Sequence, residues 1–521
     1  MRTKGLVRYG LRGAFGVIVV VATTHSSALL GSHAVPASQH SSYPLPEEAR
    51  NVLNATHHHG EWVPIAVGGR TLLAAVTYPD RPDRAPVVVV AADAGRLTPW
   101  ARAVADQLTN EGFIAVVPDA DASDAVSLAA VLKQLATHPA ASERTATVTL
   151  AADLRVDSGT TSARFELSKA AWSGAVTYLN AITENHASKV VHMKVHSLDG
   201  ASVGLHGADH SAHASTPHAL AAMNAPGGSA RGAASLMGAA APTPAAGSAA
   251  AGAAATAQTP RGYPRGKLDT LPAGLFTAKT TVLRSSIRAE WVDVPTPGAY
   301  NGRMHTRITY PDGTAPAGIV VVMQHGPGMD DWMQALGDQL SRQGFIALIA
   351  DLHTGMGPKG GNYESFAGPE DVFVANARLN PVATLVAYEA VRQYGLKLPR
   401  ANGKSAAFGF CMGGSNAWAM AMNAPDLNAA VVYYGAANGD AAALSKMAAP
   451  VIGFYGEDDA RVTATVEKTA ATLQKLGKAF EPHVYPHATH GFLEFQDLGG
   501  NPEATRDSWS RAIAFLQARL R

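Results

Sequence analysis

The hydrophobic positions of this chain fall into short apolar runs separated by amphipathic stretches. The runs at residues 87–91 and 319–323 are almost continuously apolar, which is typical of strands buried on both faces of a sheet. Each run is followed by a loop, a helical pattern (residues 100–110 and 332–342), a glycine and a second apolar run that ends at an aspartate. Strand, helix and strand at this spacing predict a βαβ unit of a parallel sheet.

The two predicted βαβ units are copies of one another. Tyr-Pro-Asp at residues 78–80 returns at 310–312, and Gly-Phe-Ile-Ala at 112–115 returns at 344–347, with one constant offset and no gaps. A constant offset over this many residues is not expected by chance. The repeat is also far longer than a solenoid unit. The sequence therefore predicts two copies of one domain.

The two copies differ in how they continue. In the second, residues 275–521, strand and helix patterns alternate to the end, which predicts a complete doubly wound, mostly parallel α/β domain. The first, residues 43–205, lacks the later strands and is predicted to be a truncated, non-catalytic copy of the same fold. Between them, residues 206–270 are mostly Ala, Gly, Ser, Thr and Pro. Such a segment has too little large apolar surface to offset its ordering entropy, so we expect a disordered linker.

The N-terminus has the pattern of a secretory signal peptide. Residues 1–13 carry basic side chains, residues 14–22 are apolar, and small and polar residues follow. The apolar run is too short to span a bilayer comfortably. We expect residues 1–34 to be a cleaved signal, and hence an exported protein, periplasmic or secreted, without stable membrane insertion. An uncleaved N-terminal anchor is the alternative.

Charge and cysteine content narrow the classes of function. The 42 basic and 41 acidic residues among 521 give a net charge of +1, which offers no reason to expect a nucleic acid partner. The chain has one cysteine, Cys411, which has no partner for a disulfide within the chain. A single thiol in an oxidising compartment is a liability unless it is buried or used in chemistry.

The surroundings of Cys411 indicate use in chemistry. Gly409-Phe410-Cys411-Met412-Gly413-Gly414 follows an apolar strand and opens a helical pattern. This is the arrangement of a nucleophile elbow, with cysteine in the place of serine. The N–H groups and dipole at the N-terminus of a helix favour the thiolate, which is the nucleophilic form.

A nucleophile of this kind needs a base and a group that orients the base. In the chain order nucleophile, acid, histidine, the acid belongs in the loop after the strand at residues 451–455, where Asp459 is the choice and Asp458 the rival. The base belongs in the loop after the strand at residues 480–485, where His490 is the choice and His487 the alternative.

From about residue 288 to the C-terminus the chain resembles the dienelactone hydrolase family. The resemblance rests on four motifs in order: Gly-Phe-Cys-Met-Gly-Gly at 409–414, Tyr-Tyr-Gly at 433–435, Tyr-Gly-Glu-Asp-Asp at 455–459 and His-Ala-Thr-His-Gly-Phe at 487–492. It implies an α/β-hydrolase fold, with Cys411 as nucleophile, Asp459 as orienting acid and His490 as general base. It further implies hydrolysis of a small ester or lactone without a metal or organic cofactor.

The loop after the apolar run at residues 319–323 contains an expected oxyanion donor, and it differs from the family at one residue. An oxyanion hole needs two donors, for which we expect the backbone N–H groups of Met412 and Gly326. Where the family carries a glutamate, this chain has His325. That histidine is expected to modulate the nucleophile, as an ion pair or by raising its reactivity, or to alter the substrate chemistry, unless it only packs the loop. The family also uses arginines for a substrate carboxylate, but Arg461 has no secure match among them.

The first copy has no nucleophile elbow of its own. Its three adjacent histidines at 57–59 cannot all reach one metal ion from a regular strand, so we expect them in a solvated loop. The alternative function is a ligand- or partner-binding protein built on two hydrolase-like modules, neither of them catalytic. Reactivity of the Cys411 thiol distinguishes the two functions, and the sequence does not determine the oligomeric state.

Overall fold

The computed structural model describes residues 44–92, 97–121, 123–150, 172, 176–177, 179–180, 271–437, 439–496 and 501–521. The expected signal segment and linker lie outside these residues, as does most of the first copy beyond residue 150. Within the described part of the chain, no helix is long and apolar enough to cross a bilayer.

The second copy is built on an eight-stranded sheet with the order β6-β7-β9-β8-β10-β11-β12-β13. Strand β6 pairs antiparallel with β7, and β7 antiparallel with β9, while the pairs from β9 through β8 and β10 to β13 are parallel. The strands are β6 Arg288–Thr296, β7 Gly302–Tyr310, β8 Ala317–Met323, β9 Ile346–Ala350, β10 Ala401–Phe410, β11 Ala429–Tyr433, β12 Val451–Gly456 and β13 Phe480–Tyr485. This is the predicted doubly wound α/β-hydrolase sheet.

Helices cover both faces of this sheet, and large apolar side chains fill a core on each side of it. The described helices of the second copy are α4 Leu275–Leu283, α5 Asp331–Arg342, α6 Pro369–Asn376, α7 Pro381–Leu396, α8 Met412–Asn423, α9 Ala441–Ser445, α10 Ala460–Lys475 and α11 Pro502–Leu520. Strands β8, β9, β11 and β12 are buried along their whole length, which explains their continuous apolar runs.

The first copy repeats the first five strands of this plan. Its sheet has the order β1-β2-β4-β3-β5, and its pairs are antiparallel, antiparallel, parallel and parallel, as in β6-β7-β9-β8-β10. Its elements are α1 Ala49–Ala55, β1 His59–Val67, β2 Arg70–Tyr78, β3 Ala85–Ala92, α2 Pro99–Asn110, β4 Ile114–Pro118, α3 Ala125–Leu135 and β5 Ala141–Leu150. The internal repeat in the sequence is therefore a repeat of topology.

The repeat extends to individual hydrogen bonds in the first hairpin of each copy. Tyr78 donates its hydroxyl to Glu61 at 2.7 Å, and Tyr310 donates to Glu290 at 2.5 Å. In the same register, His59 pairs across the hairpin with Tyr78 in the first copy, and Arg288 pairs with Tyr310 in the second. The two hairpins thus share their strand pairing and this hydrogen bond, but their first residues differ.

The first copy docks against the second near the ends of β12 and β13. Arg81 forms a parallel β-bridge with Asp459, and its carbonyl accepts a hydrogen bond from the Ala460 N–H at 3.1 Å. Trp62 stacks on Phe373 with 5.2 Å between ring centroids and donates its indole N–H to the Phe373 carbonyl. Main-chain pairing and aromatic packing together fix the first copy in one register on the second.

A buried ion pair between Arg102 and Glu370 joins the two copies. Replacing Arg102 with methionine leaves the Glu370 carboxylate buried without its cation, so we expect a loss of about 3 kcal/mol in the free energy of unfolding. Urea unfolding followed by tryptophan fluorescence measures it. Arg50→Met is the matched control, because the Arg50–Asp371 pair crosses the same interface in an exposed position and is expected to contribute less than about 1 kcal/mol. Equal losses in the two variants would contradict a desolvated Arg102–Glu370 pair.

Candidate active site

Cys411 lies at the sharp turn between β10 and α8. Its backbone has φ 54° and ψ −118°, a conformation that L-residues rarely adopt and that a nucleophile elbow imposes on its central residue. The turn leaves no room for side chains beside it: a Cβ on Gly409 would lie 1.9 Å from the Gly413 carbonyl oxygen, and one on Gly413 would lie 2.1 Å from that of Met323. The flanking glycines of the motif are therefore required by the close approach of strand and helix.

His490 and Asp459 form a buried hydrogen-bonded pair next to this turn. The His490 Nδ1 lies 2.6 Å from the Asp459 Oδ2. Asp459 follows β12 and His490 follows β13, so parallel strands bring both loops to the same edge of the sheet as Cys411. A ring nitrogen of His490 lies within 4.8 Å of the Cys411 Sγ, and its Nε2 has no hydrogen-bond partner among the described residues. The three residues chosen from the sequence thus meet in space.

The two rival residues lie together elsewhere. Asp458 donates its N–H to the Ala488 carbonyl, and His487 is exposed with a positive φ of 54°. With Glu457 they form a group at the surface whose side-chain ligand atoms lie within 4.8 Å of one another. The geometry therefore separates a buried pair, Asp459 and His490, from a peripheral one.

His59 of the first copy also reaches the thiol. Its Nδ1 lies 3.4 Å from the Cys411 Sγ, and its ring lies 4.3 Å from that of His490. His59 is buried and His58 has a nearly buried side chain bonded to Asp106, so the expectation of a solvated loop at residues 57–59 is wrong. The physical reason is the docking of the first hairpin onto the second copy. No local sequence pattern predicts a contact between residues this far apart in the chain.

The charges of these side chains favour a thiolate. Burial raises the pKa of the Cys411 thiol, but the positive charge of His59 and then that of His490 lower it by more, so that it lies well below its ordinary value. Burial lowers the pKa of His490, whereas Asp459 and Cys411 raise it to about 10. Burial also raises the pKa of Asp459, and His490 lowers it by more. At neutral pH these shifts favour a thiolate beside an imidazolium and a carboxylate.

The expected oxyanion donors lie on two elements near the thiol. Met412 is the first residue of α8, where a helix leaves its N–H groups without intrahelical acceptors. Gly326 follows β8, has open space on the side where a Cβ would lie, and accepts a hydrogen bond from Asn376 through its carbonyl. None of the hydrogen bonds recorded for the described residues engages the N–H of either one. Both donors are therefore available to an incoming oxygen.

A cavity of about 130 Å³ opens on the thiol, and both copies line it. The second copy contributes Cys411, His490, Gly326 and Tyr434, and the first contributes residues of the β1–β2 hairpin and of α2. Most of the lining residues from the first copy are apolar or histidine: Leu53, His57, His58, His59, Ala75, Ala105 and Val117. A space of this volume accommodates a group of a few non-hydrogen atoms.

Residues 304–520 match the sequence model of the dienelactone hydrolase family. In this region the chain is similar to that family. A carboxymethylenebutenolidase-like protein of Saccharolobus solfataricus is 33% identical over 131 residues, which cover 25% of this chain and about half, 48%, of that protein. Another, of Yersinia pestis, is 29% identical over 218 residues, covering 40% of this chain and 80% of that protein.

Among solved structures, a dienelactone hydrolase-like protein of Klebsiella pneumoniae aligns with a TM-score of 0.40 and 24% identity, covering 44% of this chain and 99% of that one. The region that matches the family model is preceded in the chain by a five-stranded sheet with the same strand order as the first five strands of the second copy.

His325, which stands where the family carries a glutamate, lies between two carboxylates. Its Nδ1 lies 3.0 Å from the Glu494 Oε2 and its Nε2 lies 3.0 Å from the Asp330 Oδ2. Burial lowers the pKa of His325, but Asp330 and Glu494 raise it well above the ordinary value. Both ring nitrogens are thereby occupied, so the expected ion pair of His325 with the thiolate is not formed. The histidine thereby braces the loop that carries Gly326.

Arg461 of the hydrolase domain is engaged by the first copy. Its Nη1 lies 3.5 Å from the Glu61 Oε2, and its guanidinium lies over the Tyr78 ring, 5.5 Å from the centroid. Burial raises the pKa of Glu61, and Arg461 and then His59 lower it by more, to below its usual range. The arginine therefore anchors the first hairpin next to the catalytic loops.

Three groups of described residues bring possible metal ligands within 4.8 Å of one another: His59–Cys411–His490, His325–Asp330–Glu494 and Glu457–Asp458–His487. In the first group, a metal ion would take the lone pairs that proton transfer and nucleophilic attack need. In the second, the histidine already bonds to both carboxylates.

Proposed function

We propose that this protein is a cysteine hydrolase that cleaves a small ester or lactone through an acyl-cysteine intermediate. Cys411 is the nucleophile, His490 the general acid and base, and Asp459 the residue that orients His490. The observation that carries the proposal is the buried His490–Asp459 pair, 2.6 Å apart, beside a cysteine at a positive-φ elbow. The similarity of residues 304–520 to the dienelactone hydrolase family supports ester or lactone hydrolysis as the reaction class.

In the first half of the reaction the thiolate attacks the carbonyl carbon. The carbonyl oxygen takes up the negative charge and accepts hydrogen bonds from the Met412 and Gly326 N–H groups. The bond between the carbonyl carbon and the leaving oxygen then breaks, and the His490 Nε2 gives its proton to that oxygen. The products of this half are a thioester on Cys411 and an alcohol or, from a lactone, a hydroxyl or enol on the same acyl chain.

In the second half water replaces the thiolate. His490, now neutral, takes a proton from the water, and the oxygen of that water attacks the thioester carbon. The carbon–sulfur bond breaks, the carboxylic acid leaves, and the thiolate and imidazolium are restored. Asp459 holds Nδ1–H throughout, so that Nε2 is the nitrogen that faces the substrate.

The volume of the cavity bears on which substrates fit. About 130 Å³ beside the thiol suits a short acyl group or a small lactone ring, not a long acyl chain. We further propose that the mature protein works outside the cytoplasm. That proposal rests on the signal-like pattern of residues 1–34, which lie outside the described part of the chain.

The proposal is tested by following p-nitrophenyl acetate and a panel of enol lactones with the full chain. We expect turnover with an initial burst of p-nitrophenolate, and mass spectrometry after acid quenching should place an acetyl group on the peptide that contains Cys411. A p-nitrophenyl ester of a long fatty acid is the matched control and should react much more slowly. Rates equal to buffer for every ester and lactone, with no acylated Cys411, would contradict the proposal and favour a binding role.

A further inference from the structure

Two histidine–carboxylate pairs flank the single thiol. The first is His490 with Asp459, on the loops of the second copy. The second is His59 of the first copy, whose Nδ1 faces the Cys411 Sγ at 3.4 Å while its Nε2 lies 3.5 Å from the Glu61 Oε2. Each imidazole thus presents one nitrogen to the sulfur side and the other to a carboxylate.

The first copy holds His59 at this place through several independent contacts. His59 is the first residue of β1 and pairs across the hairpin with Tyr78, which hydrogen-bonds to Glu61. Glu61 in turn pairs with Arg461 of the second copy. Just beyond β2, the carboxylate of Asp80 accepts a hydrogen bond from the His490 backbone N–H.

Main-chain pairing of Arg81 with Asp459 completes this attachment. The open end of the first hairpin, where β1 begins and β2 ends, is therefore fixed to both loops that carry the proposed catalytic pair. The second copy has Arg288 in the position equivalent to His59, so a histidine here is not a general property of the hairpin.

The contacts of the two histidines divide their work. The His59 Nδ1 lies within hydrogen-bond distance of the sulfur and its Nε2 meets Glu61 only at 3.5 Å. The His490 Nδ1 is bonded to Asp459, and its ring lies close enough to the sulfur to lower the pKa of the thiol, but its Nε2 has no hydrogen bond of regular geometry among the described residues. A group that stays bonded to the sulfur stabilises the thiolate, and a ring nitrogen without a partner can exchange protons with a leaving group or with water.

We propose that the first copy completes the active site of the second: His59, held between Glu61 and Cys411, binds the thiolate through its Nδ1, and His490 is left to carry the protons of the reaction. This inference rests on the nucleophile assigned under the proposed function. His59 keeps its proton in both halves of the reaction, so the bonds made and broken are those given above. Its charge stabilises the sulfur as attacking group and again as leaving group.

The charges around the sulfur agree with this assignment. Next to the thiolate of Cys411 lie the carboxylates of Glu61 and Asp459, and the cations of Arg461 and His490 interact with both the sulfur and these carboxylates. The titratable and charged groups that face His59 and Cys411 from the surrounding elements are Glu61, Tyr78, His138, Tyr434, Asp459, Arg461, His490 and Glu494. A glutamine at position 59 keeps a polar side chain of similar reach but removes one positive charge from this set.

The test is the rate of alkylation of Cys411 by iodoacetamide as a function of pH, in the full chain carrying His59→Gln. Removing a cation next to the thiol raises its pKa, so the loss of rate is expected at acidic pH and should vanish at alkaline pH, where any thiol ionises. We expect the variant to react about 10- to 100-fold more slowly than the unmodified chain near pH 5, and at a similar rate near pH 9.

His305→Gln is the matched control, because His305 also pairs with a carboxylate, Asp293, on the equivalent hairpin of the second copy, far from the sulfur. Its pH profile should be that of the unmodified chain. A second variant, His59→Ala, is expected to regain reactivity on addition of imidazole, and circular dichroism checks that both variants are folded. A profile unchanged in His59→Gln, or a rate in His59→Ala that imidazole does not raise, would overturn the inference.

Alkylation consumes no substrate, so the result stands even if no ester is hydrolysed. Ester turnover without the acidic loss of alkylation in His59→Gln would retain the proposed function and reject the role of His59. Activity that a chelator abolishes and Zn²⁺ restores would also overturn the inference, since His59, Cys411 and His490 would then act as metal ligands.

Discussion

Cys411→Ala is expected to lower kcat/KM for small esters by about 10⁴-fold or more. The variant keeps the oxyanion donors and the cavity, but no atom remains that can form the acyl-enzyme. Alanine tolerates the positive φ of the elbow about as well as cysteine does, so the fold should persist. Steady-state hydrolysis of p-nitrophenyl acetate measures the loss, with thermal unfolding as the check on folding.

Because the chain has one cysteine, the same variant also tests which residue a thiol reagent labels. Labelling by a thiol reagent should disappear completely, so that any label in the unmodified chain belongs to Cys411. Cys411→Ser tests the nucleophile further, since the surrounding charges stabilise a thiolate, and an alkoxide is far harder to form at neutral pH. Substantial turnover by Cys411→Ala would reject the cysteine mechanism outright.

Asp459→Asn is expected to lower kcat by about 10³- to 10⁴-fold. Asp459 accepts the Nδ1–H of His490 at 2.6 Å, and an amide can present its NH₂ group there instead and favour the wrong tautomer. Loss of the carboxylate also lowers the pKa of His490, which Asp459 and Cys411 together raise to about 10, so the variant should lose its imidazolium at a lower pH than the unmodified chain. The pH dependence of kcat for p-nitrophenyl acetate reports both effects.

Asp458→Asn is the matched control for this prediction, because it makes the same chemical change at the neighbouring residue. Asp458 belongs to the surface group with Glu457 and His487, and its exchange should leave kcat within about twofold of the unmodified chain. A large loss in Asp458→Asn combined with a small loss in Asp459→Asn would reverse the assignment of the orienting acid.

The local part of the site could be predicted from the sequence. Cys411, Asp459 and His490 each follow a buried apolar strand, and parallel strands carry their following loops to one edge of the sheet. Short stretches of sequence are enough to predict the chain order of these three residues and their positions relative to the strands. The repeat could also be predicted from the sequence. Its constant offset corresponds to five strands that have the same order in each copy.

The long-range part could not be predicted in this way. His59 reaches Cys411 only because one hairpin docks on another domain, and that docking depends on contacts such as Arg102 with Glu370 that no local pattern pairs. His325 was expected to act on the thiol, yet Glu494 and Asp330 take both of its nitrogens. Which of several nearby carboxylates a buried histidine meets is decided by tertiary packing.

The β-bridge between Arg81 and Asp459 bears on how the two copies can diverge. A duplicated domain that has lost its nucleophile is ordinarily free to accumulate changes, because nothing depends on it. Here the segment just beyond β2 holds the backbone of the residue that we propose orients His490, so under that proposal changes in this segment of the first copy would disturb the site of the second. A first copy exchanged for that of a relative would then need a matching segment to restore the site.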